Sequence, residues 1–307
     1  MRFSIEAWAP EYGSASDGEF VDSQATIDEE VERPLHRWTP LRPPGGRTWT
    51  TILFTDGVRR VDARVWIEGG NGSHPGICAT YAAGAVRCDG RAKVVAAEVR
   101  RGLFTAANEA EDIVGRHAAY PVRNAPAGSP EVLSLALQQR MGELEVSLAS
   151  AEQADLVIVD GPLAGRQNVP GAVGYVKTHH VSYLSPPAEA VVGRLAPGER
   201  TPVFSMMSSW SRYSWYLRLP GAEGHPWAGI VRCEASADHD PAAVIALADS
   251  VTAALPPFAS DGHKDARAPQ NLYPIAGLER ELRRRLGDSA FLYRQLRCAA
   301  RPLPVAD

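Results

Sequence analysis

Two aspartates, each at the end of an apolar segment and each followed by glycine, are the residues of this chain best suited to chemistry. Asp160 closes the segment 154–159 and is followed by Gly161-Pro162, and Asp56 closes the segment 51–55. Short segments rich in β-branched residues predict buried strands, so both carboxylates are expected at strand carboxyl ends, where open α/β sheets present functional groups. In one cluster they could hold a divalent metal ion. Taken singly, either Asp-Gly pair is more often an ordinary turn.

A third carboxylate is expected from a helix predicted over residues 130–153. Its apolar residues recur at spacings of three and four, the pattern of an amphipathic helix: Leu133, Leu137, Met141, Leu144 and Leu148. Glu145 lies beside this apolar stripe, whereas Glu143 points further away from it. Glu145 is therefore the candidate for an inward-facing metal ligand, and a glutamate on the helix surface is the alternative that the spacing leaves open.

Lys177 and Glu279 are further candidate site residues. Lys177 falls in a strand predicted over residues 174–184, next to the strand of Asp160. Its ammonium could neutralise a phosphate, although strand lysines more often extend along a sheet edge into water. Glu279 lies in the last predicted helix, 274–286, ahead of the arginines at 283–285. Glu279 and these arginines could add a fourth acid and phosphate contacts, or they could only complement the helix dipole.

An alternating segment, residues 205–219, carries the candidate contacts to nucleic acid. Period-two alternation predicts that Trp210, Arg212, Tyr216 and Arg218 share one face of a strand. Exposed aromatics interleaved with arginine are what a groove for single-stranded nucleic acid needs, because bases stack on the rings and guanidinium groups meet phosphates. Arg59, shortly after Asp56, is included in this predicted surface. Ordinary cross-strand aromatic packing explains the alternation equally well.

Composition limits the class of protein. The chain has 307 residues, 45% of them hydrophobic and 22% charged, as in a globular protein with a sizeable core. The net charge of −4 provides no overall positive field, so any nucleic-acid binding must come from a local patch. Four cysteines without metal-ligand spacing argue against structural zinc and for a reducing compartment. No segment has the apolar length of a membrane span or signal peptide, so we expect a cytoplasmic protein without membrane contact.

The elements that must position the acids predict the fold class. Three strands are predicted: 51–56 leads, directly or through a bend, into 63–68, and 76–88 is joined to 93–104 by the hairpin turn Asp89-Gly90. The helix and the Asp160 strand follow. Three antiparallel strands, a helix and a buried strand predict an α+β or α/β fold, a ribonuclease-H-like mixed sheet flanked by helices. We expect residues 1–46, with a solvated acidic segment at 28–32, to form an N-terminal extension or arm and residues 47–307 to form the ribonuclease-H-like domain.

On these residues the sequence resembles the NurA-type nucleases, ribonuclease-H-like enzymes that process DNA ends together with HerA-type hexameric ATPases. The resemblance covers residues 51–294 and rests on the order of short motifs. They are Asp56-Gly57, the acidic helix, Leu-Val-Ile-Val-Asp-Gly-Pro-Leu at 156–163, Gly-Tyr-Val-Lys at 174–177, Tyr183-Leu184, Arg-Tyr-Ser-Trp-Tyr at 212–216, and Tyr273-Pro274 with its helix.

The resemblance implies a function and a set of ligands. Asp56 and Asp160 would bind a catalytic Mn²⁺ or Mg²⁺, with the helix acid at Glu145 or, failing that, at Glu143. The family often has serine after Asp-Gly, where this chain has Val58, and commonly closes the site with a histidine, where this chain has Glu279 or Arg280. Either Glu279 is the last ligand or the site is weakened. The family also implies a homodimer.

The expected function is a metal-dependent DNA nuclease, a 5′–3′ exonuclease, a single-strand endonuclease or both, acting in DNA repair or defence. Two cations about 4 Å apart would activate a water molecule and stabilise the leaving oxygen. The sequence has no Gly-x-Ser-x-Gly motif and no phosphate-binding Gly-x-x-x-x-Gly-Lys-Ser/Thr loop, so energy-driven DNA movement would come from the ATPase partner. Two alternatives stay open: a catalytically silent scaffold that binds DNA or the ATPase, and an α/β hydrolase with Asp160 as nucleophile and Lys177 as phosphate clamp.

Overall fold

The computed structural model describes residues 25–44, 49–69, 72–178, 183–222, 224 and 226–300. Most of the predicted N-terminal extension, residues 1–24 together with Gly45-Gly46, lies outside the described residues. Part of the strand predicted over 174–184 lies outside them as well.

The described residues form twelve strands and five α-helices. The strands are β1 (Thr26–Asp28), β2 (Ile52–Gly69), β3 (Gly72–Cys88), β4 (Ala92–Thr105), β5 (Ile113–Val114), β6 (Ala119–Tyr120), β7 (Val122–Asn124), β8 (Leu156–Asp160), β9 (Ala172–Val176), β10 (Phe204–Met207), β11 (Ser211–Arg218) and β12 (Ile230–Ser236). The helices are α1 (Pro130–Ser150), α2 (Pro186–Gly193), α3 (Pro241–Ala254), α4 (Tyr273–Arg285) and α5 (Ser289–Ala299).

Ten of these strands form one mixed sheet. The order is β1-β10-β11-β12-β9-β8-β2-β3-β4-β7, and β5 pairs with β6 separately. β8 runs parallel to both β2 and β9, whereas the strands from β9 to β1 are antiparallel neighbours. A mixed sheet flanked by helices is the predicted fold class, which is therefore confirmed.

The chain divides into two compact units that interleave along the sequence. Of the described residues, unit 1 contains those within 25–55, 85–95 and 149–278, and unit 2 contains those within 56–84, 96–148 and 279–300. Each unit has helices on both faces of its strands. Strands that are covered on both faces need continuous apolar segments, which explains why 156–159 does not alternate.

In unit 1, α3 covers one face of the strands and α2 covers the other. Val244, Ala248 and Val251 of α3 belong to a core that also contains Phe54, Ile158 and Trp215. Ala188, Val191 and Val192 of α2 pack in a second core with Trp38, Phe204 and Tyr216. Helix α3 begins at Pro241, and the carboxylate of Asp240 caps it by accepting from the backbone N–H of Ala242 and Ala243.

In unit 2, α1 and α5 pack on opposite faces of β3. The apolar stripe of α1, including Leu133, Leu137, Met141 and Leu144, meets Ile77, Ala79, Tyr81 and Ala83 of β3. Leu292 and Leu296 of α5 pack with Cys78 and Leu103. The odd- and even-numbered residues of β3 thus face different helices, as strand geometry requires. The stripe predicted for α1 is confirmed, and it places the helix acids relative to β3.

The described part of the predicted N-terminal extension is built into unit 1. β1 pairs with β10 at the edge of the sheet, and Trp38 is buried in the α2 core. The acidic segment at 28–32 is not simply solvated as predicted, because Glu32 binds the buried guanidinium of Arg200 and Glu29 accepts hydrogen bonds from Ser185. Burial of arginine requires such carboxylate partners.

The strand predicted over 51–56 leads directly into residues 63–68, as the single strand β2 (Ile52–Gly69). Two other expectations differ from the structure. The alternating segment 205–219 is the hairpin β10–β11 rather than one strand. Helix α2 was not predicted, and α4 is not the last helix because α5 follows it.

One segment, Pro241–Phe258, has the length and composition of a membrane span, with a mean hydropathy of 1.4. Its helical part α3 has 14 residues, about 21 Å of helix, which is shorter than the roughly 30 Å hydrocarbon layer of a bilayer. The buried residues Val244, Ala248 and Val251 explain the apolar character as packing in the core of unit 1.

Arg200 provides a test of how the N-terminal segment is held. Its guanidinium is 2.7 Å from Glu32 and 2.7 Å from Asp249, and it is almost completely buried. We expect Arg200→Ala to lower the free energy of unfolding by about 3 kcal/mol, because the substitution leaves buried carboxylate without its cation. Urea denaturation measures this.

Arg42→Ala is the matched control, since Arg42 is 63% exposed and its ion pair with Glu199 lies in water. We expect this substitution to change the free energy of unfolding by less than about 0.5 kcal/mol. Equal losses in the two variants would show that the buried network does not hold the segment.

Candidate active site

Unit 2 contains two buried acids near Gly57, Asp56 on β2 and Glu145 on α1. Asp56, on β2, is buried, and its Oδ1 accepts a hydrogen bond of 2.7 Å from the backbone N–H of Gly57. Glu145, on α1, is 3% exposed, and its Oε1 lies so close to Gly57 that a Cβ at that position would overlap it. Glu143 is instead 62% exposed and paired with Arg140. Of the two helix acids considered, Glu145 is therefore the inward-facing one.

The glycine after Asp56 has a physical reason. A Cβ at Gly57 would also lie 2.9 Å from Cγ of Met141, closer than real side chains approach. Any larger residue would push α1 or the carboxylate of Glu145 away from β2. The glycine of the Asp-Gly pair therefore leaves the space beside β2 that Glu145 and Met141 of α1 occupy.

Unit 1 places Asp160 against Lys177. Thr55 of β2 is in register with Val159 of β8, and Asp56 and Asp160 are the next residues along these two strands. The ammonium of Lys177, just after the end of β9, donates a 2.6 Å hydrogen bond to Oδ2 of Asp160. Oδ1 of Asp160 is buried and, within the described part of the chain, accepts no hydrogen bond. A buried, unsatisfied carboxylate oxygen is costly, so this atom is a candidate ligand.

Glycines also shape the loop after Asp160. Gly161 has a φ of +103°, a conformation that L-residues with side chains rarely adopt, and it exchanges two backbone hydrogen bonds of 2.9 Å with Tyr175. A Cβ at Gly174 would lie 2.7 Å from the backbone nitrogen of Leu163. The motifs Asp-Gly-Pro-Leu and Gly-Tyr-Val-Lys thus fit together, which fixes Asp160 and Lys177 relative to each other.

A buried glutamate and two buried arginines support the same loop. Oε2 of Glu234 accepts a 2.9 Å hydrogen bond from the backbone N–H of Leu163, and Oε1 lies 3.0 Å from Arg212 and 2.9 Å from Arg232. Burial by itself would lower the pKa of Arg232, but the neighbouring Glu234 outweighs this and holds the pKa above its ordinary value. Arg232 therefore stays charged. The sequence analysis missed Glu234, and its place in the apolar β12 was the signal that could have identified it.

The predicted exposure of the nucleic-acid face is wrong for two of its residues. Arg212 and Tyr216 are 2% and 1% exposed, because α2 and Trp38 cover that face of β11. Alternation along the strand separates the two faces correctly, but both faces of this sheet are covered. These two side chains support the Asp160 loop and the core rather than an open groove.

The other predicted nucleic-acid contacts are less buried. Trp210 is half-buried, with the guanidinium carbon of Arg212 5.1 Å from its ring centre. Arg218 donates to backbone carbonyls of Ala228, at 2.6 Å, and Pro226. Arg59 is half-buried on β2. Their role in binding nucleic acid stays a prediction.

Two residues that the sequence analysis did not select complete the surroundings of Lys177. Oδ1 of Asn271 accepts a 3.1 Å hydrogen bond from Lys177, and Nδ2 of Asn271 donates at 2.6 Å to Asp265. Burial alone would raise the pKa of Asp265, but hydrogen bonds from the backbone N–H of Arg267 and from Asn271 bring that pKa below its ordinary value. Asp265 is therefore an anion that orients the amide. A buried asparagine in a loop gives no periodic signal in the sequence.

Glu279 is engaged in an ion pair on its own helix. Its carboxylate lies 2.8 Å from Arg283, one turn further along α4, and its side chain is 13% exposed. This is the geometry of a helix-stabilising pair. The prediction that Glu279 acts as a last metal ligand is not tested by this contact.

The residues present fit a divalent cation in part. The buried Oδ1 of Asp160 in unit 1 and the buried carboxylates of Asp56 and Glu145 in unit 2 each offer the hard oxygen donors that Mg²⁺ and Mn²⁺ take. Among the described residues, no group of three or more His, Cys, Asp or Glu side chains is placed to hold a metal ion. One or two carboxylates with water and phosphate would complete such a site, as is usual for Mg²⁺.

Cysteine chemistry is disfavoured at three of the four cysteines. Burial raises the pKa of Cys78 to about 12 and that of Cys88 to about 11, and it raises the pKa of Cys233 further. These thiols are therefore protonated at neutral pH and do not supply a thiolate nucleophile.

Comparison with known proteins supports the fold. No protein-family model and no curated protein matches the sequence. The chain is similar to the crystal structure of the NurA nuclease from Sulfolobus solfataricus, with a TM-score of 0.51 and 12% identity over 88% of this chain and 91% of that chain. The chain therefore has a NurA-like fold, as the motif order predicted.

Gly57 provides a test of the carboxylate pair. We expect Gly57→Ala to lower any metal-dependent activity by at least about tenfold, because displacement of a positioned group by even 1 Å can cost up to about a hundredfold. The folded state should persist, since the flexible end of Glu145 can move. Activity and melting temperature are measured together.

Gly262→Ala is the control, because a Cβ there meets nothing within 4 Å and the backbone is not left-handed. The role given to Gly57 would be wrong if both variants kept full activity.

Proposed function

We propose that this chain is a divalent-metal-dependent nuclease that cleaves phosphodiester bonds in DNA. The observation that carries the proposal is the buried Oδ1 of Asp160, which accepts no hydrogen bond in the described part of the chain. The other carboxylate oxygen, Oδ2, accepts a hydrogen bond from Lys177. A buried carboxylate oxygen without a donor is costly, and a divalent cation bound to that oxygen would compensate it. The NurA-like fold supports the same assignment, because the solved protein with this fold is a nuclease.

The proposed ligands are Asp56, Glu145 and Asp160, and the proposed ion is Mn²⁺ or Mg²⁺. When bound, such an ion lowers the pKa of a coordinated water molecule and offsets charge on a phosphoryl group. The protein's own residues supply the rest. Gly57 admits Glu145, the Asp160 loop is held by Glu234, and Lys177 adds positive charge beside Asp160, where a phosphate anion would be attracted.

The proposal extends to substrates and partners on the ground of the resemblance. DNA ends or single strands are the proposed substrates, with 5′–3′ exonuclease activity, single-strand endonuclease activity or both, in DNA repair or defence. A HerA-type hexameric ATPase is the proposed partner, since this sequence has no phosphate-binding loop to drive DNA movement itself. A homodimer in the cytoplasm is the proposed state.

A catalytically silent scaffold is the second candidate. It is favoured by one observation, the lack of any group of three His, Cys, Asp or Glu ligands within the described ranges. The chain also has Glu279 or Arg280 where a histidine is expected from the resemblance. In this reading the same fold binds DNA or the ATPase without cleaving.

The test is cleavage of labelled single- and double-stranded DNA with Mn²⁺ or Mg²⁺. We expect Asp56→Asn, Glu145→Gln and Asp160→Asn each to lower the rate at least about a hundredfold, because loss of a ligand removes several kcal/mol of stabilisation. Glu143→Gln is the matched control on the same helix, and it should stay within about twofold, since Glu143 lies in water.

Asp160→Asn also leaves Lys177 without its anion, so its melting temperature is measured before its activity. Cleavage by all four variants at the wild-type rate would exclude the proposed ligands. Wild-type protein that binds DNA or the ATPase but never cleaves would establish the scaffold instead.

A further inference from the structure

Lys177 is an unusual residue in this chain. The sequence has 32 lysines and arginines together, and only Lys93, Lys177 and Lys264 are lysines. Lys93 and Lys264 are exposed, whereas Lys177 is 7% exposed. Nearly all the basic residues of this chain are therefore arginines, and its buried lysine lies at the Asp160 site.

The chemistry of the two cations explains this choice. An ammonium is a compact point charge that can bind one carboxylate oxygen, whereas a guanidinium is a planar fork that tends to bind both oxygens of a carboxylate. Lys177 binds only Oδ2 of Asp160, at 2.6 Å. Oδ1 is left without a hydrogen bond from the described residues.

Asn271 is a second hydrogen-bond acceptor for the ammonium. Its Oδ1 accepts from Lys177 at 3.1 Å, and its Nδ2 donates at 2.6 Å to Asp265. A 180° flip of the amide would be unfavourable, because it would turn the NH₂ group toward the Lys177 ammonium and the oxygen toward the Asp265 carboxylate. Asn271 is fully buried, so no water competes for these contacts.

The segment that carries Asn271 is anchored to the same strand as Lys177. The hydroxyl of Tyr175 donates a 2.7 Å hydrogen bond to the backbone oxygen of Gln270. The backbone N–H of Asn271 donates at 3.0 Å to the oxygen of Arg267. β9 thus binds the segment through Tyr175, and Lys177, two residues further, meets Asn271.

We infer that Asn271 is a positioning residue of the Asp160 site. It holds the Lys177 ammonium against Oδ2 of Asp160 and thereby leaves Oδ1 as the oxygen that a divalent cation can bind. Asp265 orients the amide for this task. The inference rests on the proposed function for the cation, but the positioning of Lys177 by Asn271 is measurable without it.

The contrasting explanation is that Asn271 only anchors its loop. In that case its replacement lowers the melting temperature but leaves Lys177 equally protected in the folded protein. In our inference, replacement frees the ammonium to leave Asp160 and reach solvent. The reactivity of the Lys177 amine separates the two explanations.

The experiment is acetylation of the native protein with an N-hydroxysuccinimide ester of acetate, followed by mass spectrometry of peptides. Lys93 is an exposed internal reference in the same sample. We expect Lys177 of the wild type to react at least about tenfold more slowly than Lys93, and Asn271→Ala to raise the Lys177 rate about tenfold, the lower end of the effect of an outer-shell partner. An unchanged Lys177 rate in folded Asn271→Ala would overturn the inference.

An exchange of the two polar groups is the rescue variant. Asn271→Asp combined with Asp265→Asn keeps a carboxylate against an amide and still offers an oxygen to Lys177. We expect it to restore Lys177 protection to within about threefold of the wild type, since both hydrogen bonds are retained. If Asn271→Ala does not fold, Asp265→Asn alone, which removes the anion that orients the amide, must raise the Lys177 rate. No rise would refute the inference.

Mn²⁺ binding, followed by the electron paramagnetic resonance signal of the free ion, and DNA cleavage complete the test. Asn271→Ala should weaken Mn²⁺ binding and slow cleavage about tenfold each, with DNA affinity in the absence of metal unchanged. If the wild type neither binds Mn²⁺ nor cleaves DNA, the proposed function fails while the Lys177 result still decides the role of Asn271. If the wild type cleaves and Lys177 protection is unaffected by Asn271→Ala, only the inference fails.

Discussion

The cost of burying charge is the constraint on which the candidate site depends. A carboxylate removed from water is destabilising by several kcal/mol unless a cation or hydrogen-bond donors compensate it. In unit 1 the compensation is visible as a series of alternating charges and dipoles, from Asp160 to Lys177, Asn271 and Asp265. In unit 2 two buried carboxylates approach the same glycine. Buried acids of this kind are costly to the folded state, and groups whose environment is costly are frequent at functional sites.

The short motifs acquire a common explanation from the structure. Gly57 leaves room for the carboxylate of Glu145, and Gly161 adopts a left-handed backbone after Asp160. Gly174 leaves room for the backbone of Leu163, in the loop that follows Asp160. Each glycine is required because a side chain would occupy space that an acid or its loop needs. Individually these dipeptides are common in turns. Their order along the chain is informative because each one supports a different part of the same arrangement.

The sequence predicted much of the fold and part of the site. The β8 strand and the α1 stripe follow from local periodicity, and the inward direction of Glu145 follows from the same helix geometry. Exposure did not follow, because alternation along β11 separates two faces without showing that α2 covers one of them. The contact of Asn271 with Lys177 could not be predicted, because the two residues are 94 positions apart and no sequence pattern links them. Helix α5 was missed although Asp288 caps it and Leu292 and Leu296 share one face.

Because the two units alternate along the chain, the protein cannot be divided into two contiguous fragments. The polypeptide passes from one unit to the other five times, and strands β2, β3 and β4 each begin in one and end in the other. Neither unit corresponds to a contiguous stretch that could be expressed as a fragment, shuffled as a module or released by a single proteolytic cut. Native contacts must form between distant parts of the sequence before either core is complete, so folding should be slow and concerted.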